Sequence, residues 1–323
     1  MKILITGGHS GMGLALTKKL LPEGHEIGLI VRSENRKAEA KRLFPVKFKL
    51  TIYVADLSKR DEIESVSAAI KSDWEKLDGL FNNAGVLLDK MYLSDYRNEL
   101  QLEVNAISPY LLTKALLPLL EKSESPFVVN TATGTLEGKK SLDISAFKNP
   151  KKFSKLTGSY MDSKITMVTL MNHLAGLHKK IRFVHVNPGP IKTKMTSGSG
   201  MPLLLRPIRN LLFKSPEYGA NNLYNGAFGK DFQQSGIYVS ANKIKPIKVK
   251  ITTDQIDQLL QEDKGAMKKV LAFGASNSKH SINKRFAVFA ANSLANVEMH
   301  IADLNDYELP LYSVDLQREQ GIH

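Results

Sequence analysis

Over its first two hundred residues the chain alternates short apolar runs with longer amphipathic stretches, and that alternation constrains the fold more than any other feature. The runs Lys2–Thr6, Glu26–Val31, Leu50–Ala55, Gly79–Asn82, Pro126–Asn130 and Ile181–Asn187 read as strands. Between them Gly13–Leu21, residues 34–43, Ile63–Trp74, Asn98–Glu121 and residues 160–179 carry apolar side chains at helical spacing, with Pro109 and Pro118 expected as local breaks. Strands and helices in this rhythm build right-handed βαβ units on a parallel sheet. The expectation is an α/β fold with a doubly wound parallel sheet, whose ligands bind beyond the carboxyl ends of the strands.

Composition sets the outer bounds. A chain of 323 residues holds one large domain with an appendage, or two domains. With no cysteine it builds no disulfide framework, thiolate metal site or cysteine nucleophile, which fits a reducing compartment such as the cytoplasm. Met1-Lys2 runs straight into Ile3-Leu4-Ile5, too short an apolar run for a secretory core, and no stretch reaches the length of a membrane span. The net charge of +13 comes from scattered lysines with loose clusters at Lys148–Lys155 and Lys243–Lys250. This pattern reads as a solvated surface, so no nucleic-acid partner and no bound metal are expected.

The chemistry should therefore sit after each strand. Strand one is followed by Thr6-Gly7-Gly8-His9-Ser10-Gly11-Met12-Gly13, whose glycines let backbone approach a pyrophosphate at the start of a helix. Strand three ends in Ala55-Asp56-Leu57, strand four in Asn82-Asn83-Ala84-Gly85, and strand six in Asn187-Pro188-Gly189-Pro190-Ile191-Lys192-Thr193. Asn105 lies within the long fourth helical stretch. In this order the motifs, covering residues 1 to about 245, resemble the short-chain dehydrogenase/reductase family, a Rossmann-type fold.

That resemblance implies a dinucleotide held by Thr6, Gly7, His9, Ser10, Gly11, Met12, Gly13, Asp56, Leu57, Asn83, Ala84, Gly85, Pro188, Gly189, Ile191 and Thr193. The family's catalytic pair is Tyr-x-x-x-Lys, which occurs here as Tyr110/Lys114 and as Tyr160/Lys164. Tyr160 opens the helix between strands five and six, so Tyr160 and Lys164 are the expected pair, contributing to cofactor binding as well as catalysis. A free tyrosine is a weak base near neutrality, and a nearby ammonium would favour its phenolate. Tyr160 is then the general acid/base, Lys164 holds the nicotinamide ribose, and Asn105 supports a water in the proton relay. The segment Val128-Val129-Asn130-Thr131-Ala132-Thr133 aligns with Val-Asn-Val-Ser-Ser, placing Thr133 on the third catalytic position, with Thr131 next in line.

The interval of 26 residues between Thr133 and Tyr160 is longer than the family's usual one. Its insert, Lys139–Leu156, and the runs Ser215-Pro216-Glu217-Tyr218-Gly219-Ala220 and Ser235-Gly236-Ile237-Tyr238 resemble the retinol-dehydrogenase-like branch. The substrate so implied is a small apolar carbonyl or alcohol. Met195–Phe213 reads as a substrate lid or, equally, as a helix packed on the core. After strand two stands Val31-Arg32-Ser33, where Arg32 suits a 2′-phosphate, so NADP is expected in preference to NAD.

Residues 1–250 are thus expected as the dinucleotide-binding domain, 251–266 as a linker and 267–323 as a separate segment. In that segment a strand, Met267–Phe273, a Ser-rich loop, a helix over 284–296 and a strand, Val297–Ala302, resemble the opening of a flavodoxin-like NADPH-dependent FMN reductase. Ser276, Ser281 and Asn283 would be its phosphate-loop residues. One βαβ unit cannot bury its own sheet faces, so an incomplete flavodoxin-like appendage without bound FMN is expected. The leading expectation is an NADP-dependent oxidoreductase, with homo-oligomerisation open. The rivals are a nucleotide-binding sensor or scaffold without turnover, and an FMN-linked electron carrier.

Overall fold

A computed structural model describes residues 1–137, 142, 153, 155–193, 213–260, 268–274, 282–292 and 297–302. The chain divides into two compact units, Met1–Asp263 and Lys264–His323.

The first unit is built on strands β1 (Lys2–Thr6), β2 (Glu26–Val31), β3 (Leu50–Val54), β4 (Gly79–Asn82), β5 (Phe127–Thr131), β6 (Arg182–Asn187), β7 (Ile237–Ser240) and β8 (Lys243–Lys245). They form one sheet in the order β3-β2-β1-β4-β5-β6-β7-β8, parallel throughout except for the β7–β8 pair. The chain runs outward from β1 to β3 and then returns to β4 beside β1, which leaves a crevice at the carboxyl ends of β1 and β4. Ile3, Leu4 and Ile5 are fully buried, as a strand covered on both faces requires.

Helices α1 (Gly11–Leu20), α2 (Glu34–Leu43) and α3 (Arg60–Asp73) follow the first three strands. Ser33 caps α2 by accepting from Arg36 N, and α3 buries Ile63, Val66, Ser67 and Ile70 along one stripe. A short turn α4 (Leu100–Leu102), a π-helical segment Glu103–Ile107 and α5 (Ser108–Leu120) make one continuous helical stretch. The expected breaks at Pro109 and Pro118 are therefore absent. Pro118 lies inside α5, and Pro109 sits in its first turn, directly after the π segment. Pro109 lacks an N–H for the carbonyl four residues back, that of Asn105, and the wider turn absorbs the mismatch.

Helices α6 (Met161–Leu177), α7 (Pro216–Phe228) and α8 (Thr253–Leu260) complete the unit. One hydrophobic cluster lies on the α3, α5 and α6 side of the sheet, and a second on the α1 and α7 side. Residues 251–266, expected as a linker, instead contribute α8, whose Ile256 and Leu259 are buried in the first cluster. Most of the insert Lys139–Leu156 and of the segment Met195–Phe213 lies outside the described residues.

In the second unit β9 (Lys268–Phe273) pairs in parallel with β10 (Val297–Ala302), and α9 (Ile282–Asn292) lies between them in sequence. Leu271 at 59% exposure and Ile282 at 79% show what a two-stranded sheet with one helix leaves uncovered. Asn283 is exposed in the first turn of α9, while Ser276 and Ser281 fall outside the described residues.

Candidate active site

At the carboxyl edge of the sheet the strand ends surround a cavity of about 710 Å³. From the first turn it takes Gly7, His9, Ser10, Gly11 and Met12. Gly7 and Gly11 adopt φ of 69° and 53°, which lets the backbone fold back at the start of α1. Gly13 does not line the cavity. A β-carbon there would stand 2.4 Å from the Gly7 carbonyl oxygen, so the close turn admits only glycine. Thr6 fastens this turn to β4, its Oγ1 accepting from Asn83 N at 3.0 Å and Ala84 N at 2.9 Å. The Ser10 side chain makes no capping bond to α1, so it satisfies none of the first-turn N–H groups.

Arg32, Asp56, Leu57 and Ser58 line one end. Asp56 Oδ1 accepts from the Ser58 N–H at 2.9 Å and from its hydroxyl at 2.8 Å, which shapes the turn after β3. Arg32 is exposed, and no acidic side chain pairs with it among the described residues.

Toward the other end stand Thr131, Thr133, Tyr160 and Lys164, with Asn83, Ala84 and Gly85 alongside. Tyr160 closes a π-helical segment, Lys155–Tyr160, and Lys164 follows one turn into α6. Burial pushes the Tyr160 phenol up to about 12 and the Lys164 ammonium down to about 8. Burial thus acts against the phenolate, opposite in direction to the effect of a nearby ammonium. Thr131 Oγ1 is buried in the cavity wall without a hydrogen-bond partner among the described residues.

Asn105 lies beside the cavity rather than in its lining. Its Oδ1 accepts from Val86 N at 2.8 Å, and its Nδ2 donates to Val86 O at 3.0 Å and to Ser163 Oγ at 3.1 Å. A β-carbon on Gly85 would stand 2.9 Å from Asn105 Oδ1 and 3.4 Å from Lys164 Nζ, so the two groups converge there. Asn105 thus brackets the wall segment Val86–Leu88 against α6. The alternative pair is elsewhere: Tyr110 is packed in the core and Lys114 is exposed, and neither lines the cavity.

Pro188, Gly189, Ile191 and Thr193 form the opposite wall. Lys192 N donates to Lys214 O and Lys214 N to Pro190 O, both at 2.8 Å, bringing Phe213 into the lining. Sequence reasoning missed Val86, Leu87, Leu88, Leu100 and Val104 of this lining. Only the apolar run Val86-Leu87-Leu88, directly after the Asn83–Gly85 motif, offered a signal for part of it.

Behind the cavity a polar chain crosses the sheet. Asn82 Nδ2 donates to Thr113 Oγ1 and Asn130 Oδ1, and Asn130 Nδ2 meets His185 Nδ1 at 3.3 Å. His185 Nε2 meets Asn172 Oδ1 at 3.0 Å. This pairing suits a neutral imidazole donating through Nε2, and burial pushes His185 down to about 3. A second anchor lies under the π segment. Arg60 Nε and Nη2 reach the two oxygens of Glu103 at 2.7 and 3.2 Å, and Arg60 Nη1 donates to Leu260 O at 2.8 Å. Among the described residues no group of three or more His, Cys, Asp or Glu is placed to hold a metal, and no helix is long and apolar enough to cross a membrane.

A doubly wound sheet with a glycine turn, a half-buried Tyr160 and a buried Lys164 around one cavity is the fold and site of a dinucleotide-binding type. The short chain dehydrogenase family model matches residues 1–201, and the chain belongs to that family. A second model, described as NADPH-dependent FMN reductase, matches residues 268–323. The chain is 28% identical to Dehydrogenase/reductase SDR family member 12 of Bos taurus over 193 residues, 59% of this chain and 60% of that relative. It thus spans less than two thirds of that relative's length. It is 27% identical to Retinol dehydrogenase 14 of Mus musculus over 239 residues, covering 68% of this chain and 70% of the relative. A short chain dehydrogenase from Burkholderia cenocepacia, solved in complex with NADP, shares the fold at a TM-score of 0.57 and 19% identity, over 73% of this chain and 94% of the other.

Proposed function

We propose that the chain is an NADP-dependent oxidoreductase that interconverts an apolar carbonyl compound and its alcohol. The observation that carries this reading is one cavity lined both by the Gly7–Met12 turn at the start of α1 and by half-buried Tyr160 with buried Lys164. Relatives named as dehydrogenases and a fold neighbour bound to NADP support it. When bound, the nicotinamide supplies or takes up the hydride.

The chain's own residues do the rest. The N–H groups of the first turn of α1 hold the pyrophosphate, and Asp56 and Leu57 flank the adenine. Arg32, with His9 nearby in the turn, meets the 2′-phosphate. Tyr160 gives its proton to the substrate oxygen in reduction and retrieves it in oxidation, while Thr133 holds that oxygen by a hydrogen bond. Lys164 carries positive charge beside the phenol below about pH 8 and binds the ribose. Asn105 holds the Val86 wall, and Val86, Leu87, Leu88, Leu100 and Phe213 give the substrate an apolar lining.

A thermal-shift panel of the full chain with NADP⁺, NAD⁺ and FMN tests this. At about a hundred times its dissociation constant a ligand adds roughly 2.7 kcal/mol, which raises the midpoint by several degrees. NADP⁺ is expected to give the largest shift. A shift with FMN alone would overturn the reading.

A further inference from the structure

The run Ser235-Gly236-Ile237-Tyr238 lies outside the cavity lining, yet its tyrosine reaches the site. Tyr238 is fully buried on β7, opposite His185 of β6 and Lys245 of β8. Its hydroxyl donates a 2.8 Å hydrogen bond to the Thr133 carbonyl, 105 residues earlier in the chain. Beside it, Asn187 Oδ1 accepts from Gly189 N at 3.0 Å, and Asn187 Nδ2 donates to Ser240 Oγ at 3.1 Å. A β-carbon on Gly134 would stand 3.0 Å from Asn187 Nδ2. The ends of β5, β6 and β7 are therefore tied together where the Thr133 wall meets the Pro188–Thr193 wall.

The tie matters because the Thr133 carbonyl otherwise receives only a long backbone bond among the described residues, from Leu136 N at 3.5 Å, while Ala132 N before it donates to Val186 O at 2.8 Å. The strand ends at Thr131, and Gly134 opens a single 3₁₀ turn, Gly134–Glu137. Glycine restricts the backbone less than any other residue, and the direction of the Thr133 hydroxyl depends on that backbone. The 2.8 Å bond from Tyr238 fixes the carbonyl of the same residue. Burial pushes the Tyr238 phenol up to about 12, so it stays a donor throughout the working pH range.

We propose that Tyr238 is the positioning residue for Thr133, holding the turn after β5 so that the Thr133 hydroxyl meets the substrate oxygen beside Tyr160. This rests on reading the cavity as the redox site with Thr133 in the oxygen-binding role.

The test compares wild type, Tyr238→Phe, Thr133→Ala and the double variant in the full chain, with NADPH and a panel of aliphatic and aromatic aldehydes. Tyr238→Phe keeps the ring and removes only the hydroxyl. It is expected to lower kcat about tenfold, the worth of one buried hydrogen bond, with NADP⁺ affinity within about twofold of wild type. Because Tyr238 acts through Thr133, the double variant should be no slower than Thr133→Ala alone, whereas a residue serving only the core would give additive losses. Unchanged kcat in Tyr238→Phe, or additivity, overturns the inference. A Tyr238→Phe protein that no longer folds assigns the residue to the core and overturns it equally. A wild type without NADPH-dependent turnover overturns the reading of the cavity itself, whereas an active wild type with an unimpaired Tyr238→Phe overturns only this inference.

Discussion

Arg60→Ala removes the guanidinium that holds the π segment in place, and its cost follows from the geometry. Arg60 and Glu103 side chains are 9% and 0% exposed, and the contact is two-pronged, at 2.7 and 3.2 Å. Glu103 would keep only the Asn98 Nδ2 donor at 2.7 Å, leaving a buried carboxylate without its counter-charge. Breaking such a pair from one side costs about 3–5 kcal/mol, far above the ~1 kcal/mol ceiling of an exposed pair. The variant also loses the bond to Leu260 O, which fastens α8 to α3, and the stacking of the guanidinium on Tyr96 at 4.1 Å. In a unit of this size each kcal/mol moves the melting midpoint by about 2–4 °C, so a fall of roughly 6–20 °C is expected. Calorimetry and urea titration measure it. Replacing both partners, as Arg60→Met with Glu103→Leu, should recover most of the loss, because no uncompensated charge remains. A loss below about 1 kcal/mol for Arg60→Ala, or a double variant as unstable as the single one, would refute the reasoning.

Arg32→Glu should weaken NADP⁺ binding by roughly 10–100-fold, the worth of charge-assisted bonds to a phosphate, while leaving NAD⁺ binding within a few-fold; titration calorimetry with both nucleotides reads the difference. His185 has a folded pKa lowered to about 3 from 6.5, so the unfolded chain takes up its proton first as pH falls. Its stabilisation is complete above about pH 6.5 and declines by roughly 1.4 kcal/mol per pH unit below it, which urea melts between pH 7 and 5 would show and a flat stability would contradict. Lys164, lowered to about 8 by burial, is charged at pH 7 and neutral above about pH 8. The kcat/KM for carbonyl reduction should fall along a limb near pH 8, and a profile flat to pH 10 would remove the charge of Lys164 from the account.

Much of the fold was legible because each strand is a contiguous apolar run ending in turn residues. Lys2–Thr6, Glu26–Val31 and Gly79–Asn82 stand in the structure with the limits read from the sequence. The carboxyl-edge motifs were legible for the same reason, since each directly follows its strand, and most of their residues meet in one cavity. What escaped depends on contacts between distant segments. The π turn at Glu103–Ile107 hides inside an ordinary helical pattern, and its anchor joins Arg60 to Glu103, 43 residues apart. Residues 246–265 read as polar and helix-prone, but the packing of α8 escaped because Thr253–Leu260 is polar on all but the face that carries Ile256 and Leu259 into the core. Residue spacing also does not reveal how far burial works against the Tyr160 phenolate.

Turnover tests the central claim most directly: oxidation of NADPH by purified full-length protein, monitored with and without apolar aldehydes and ketones, for wild type and Tyr160→Phe. The account predicts carbonyl-dependent oxidation by wild type and a loss of at least about a hundredfold in Tyr160→Phe, with NADP⁺ binding retained, because the variant lacks only the proton donor. Carbonyl-dependent oxidation that survives in Tyr160→Phe at the wild-type rate, or none in wild type despite NADP⁺ binding, would contradict it.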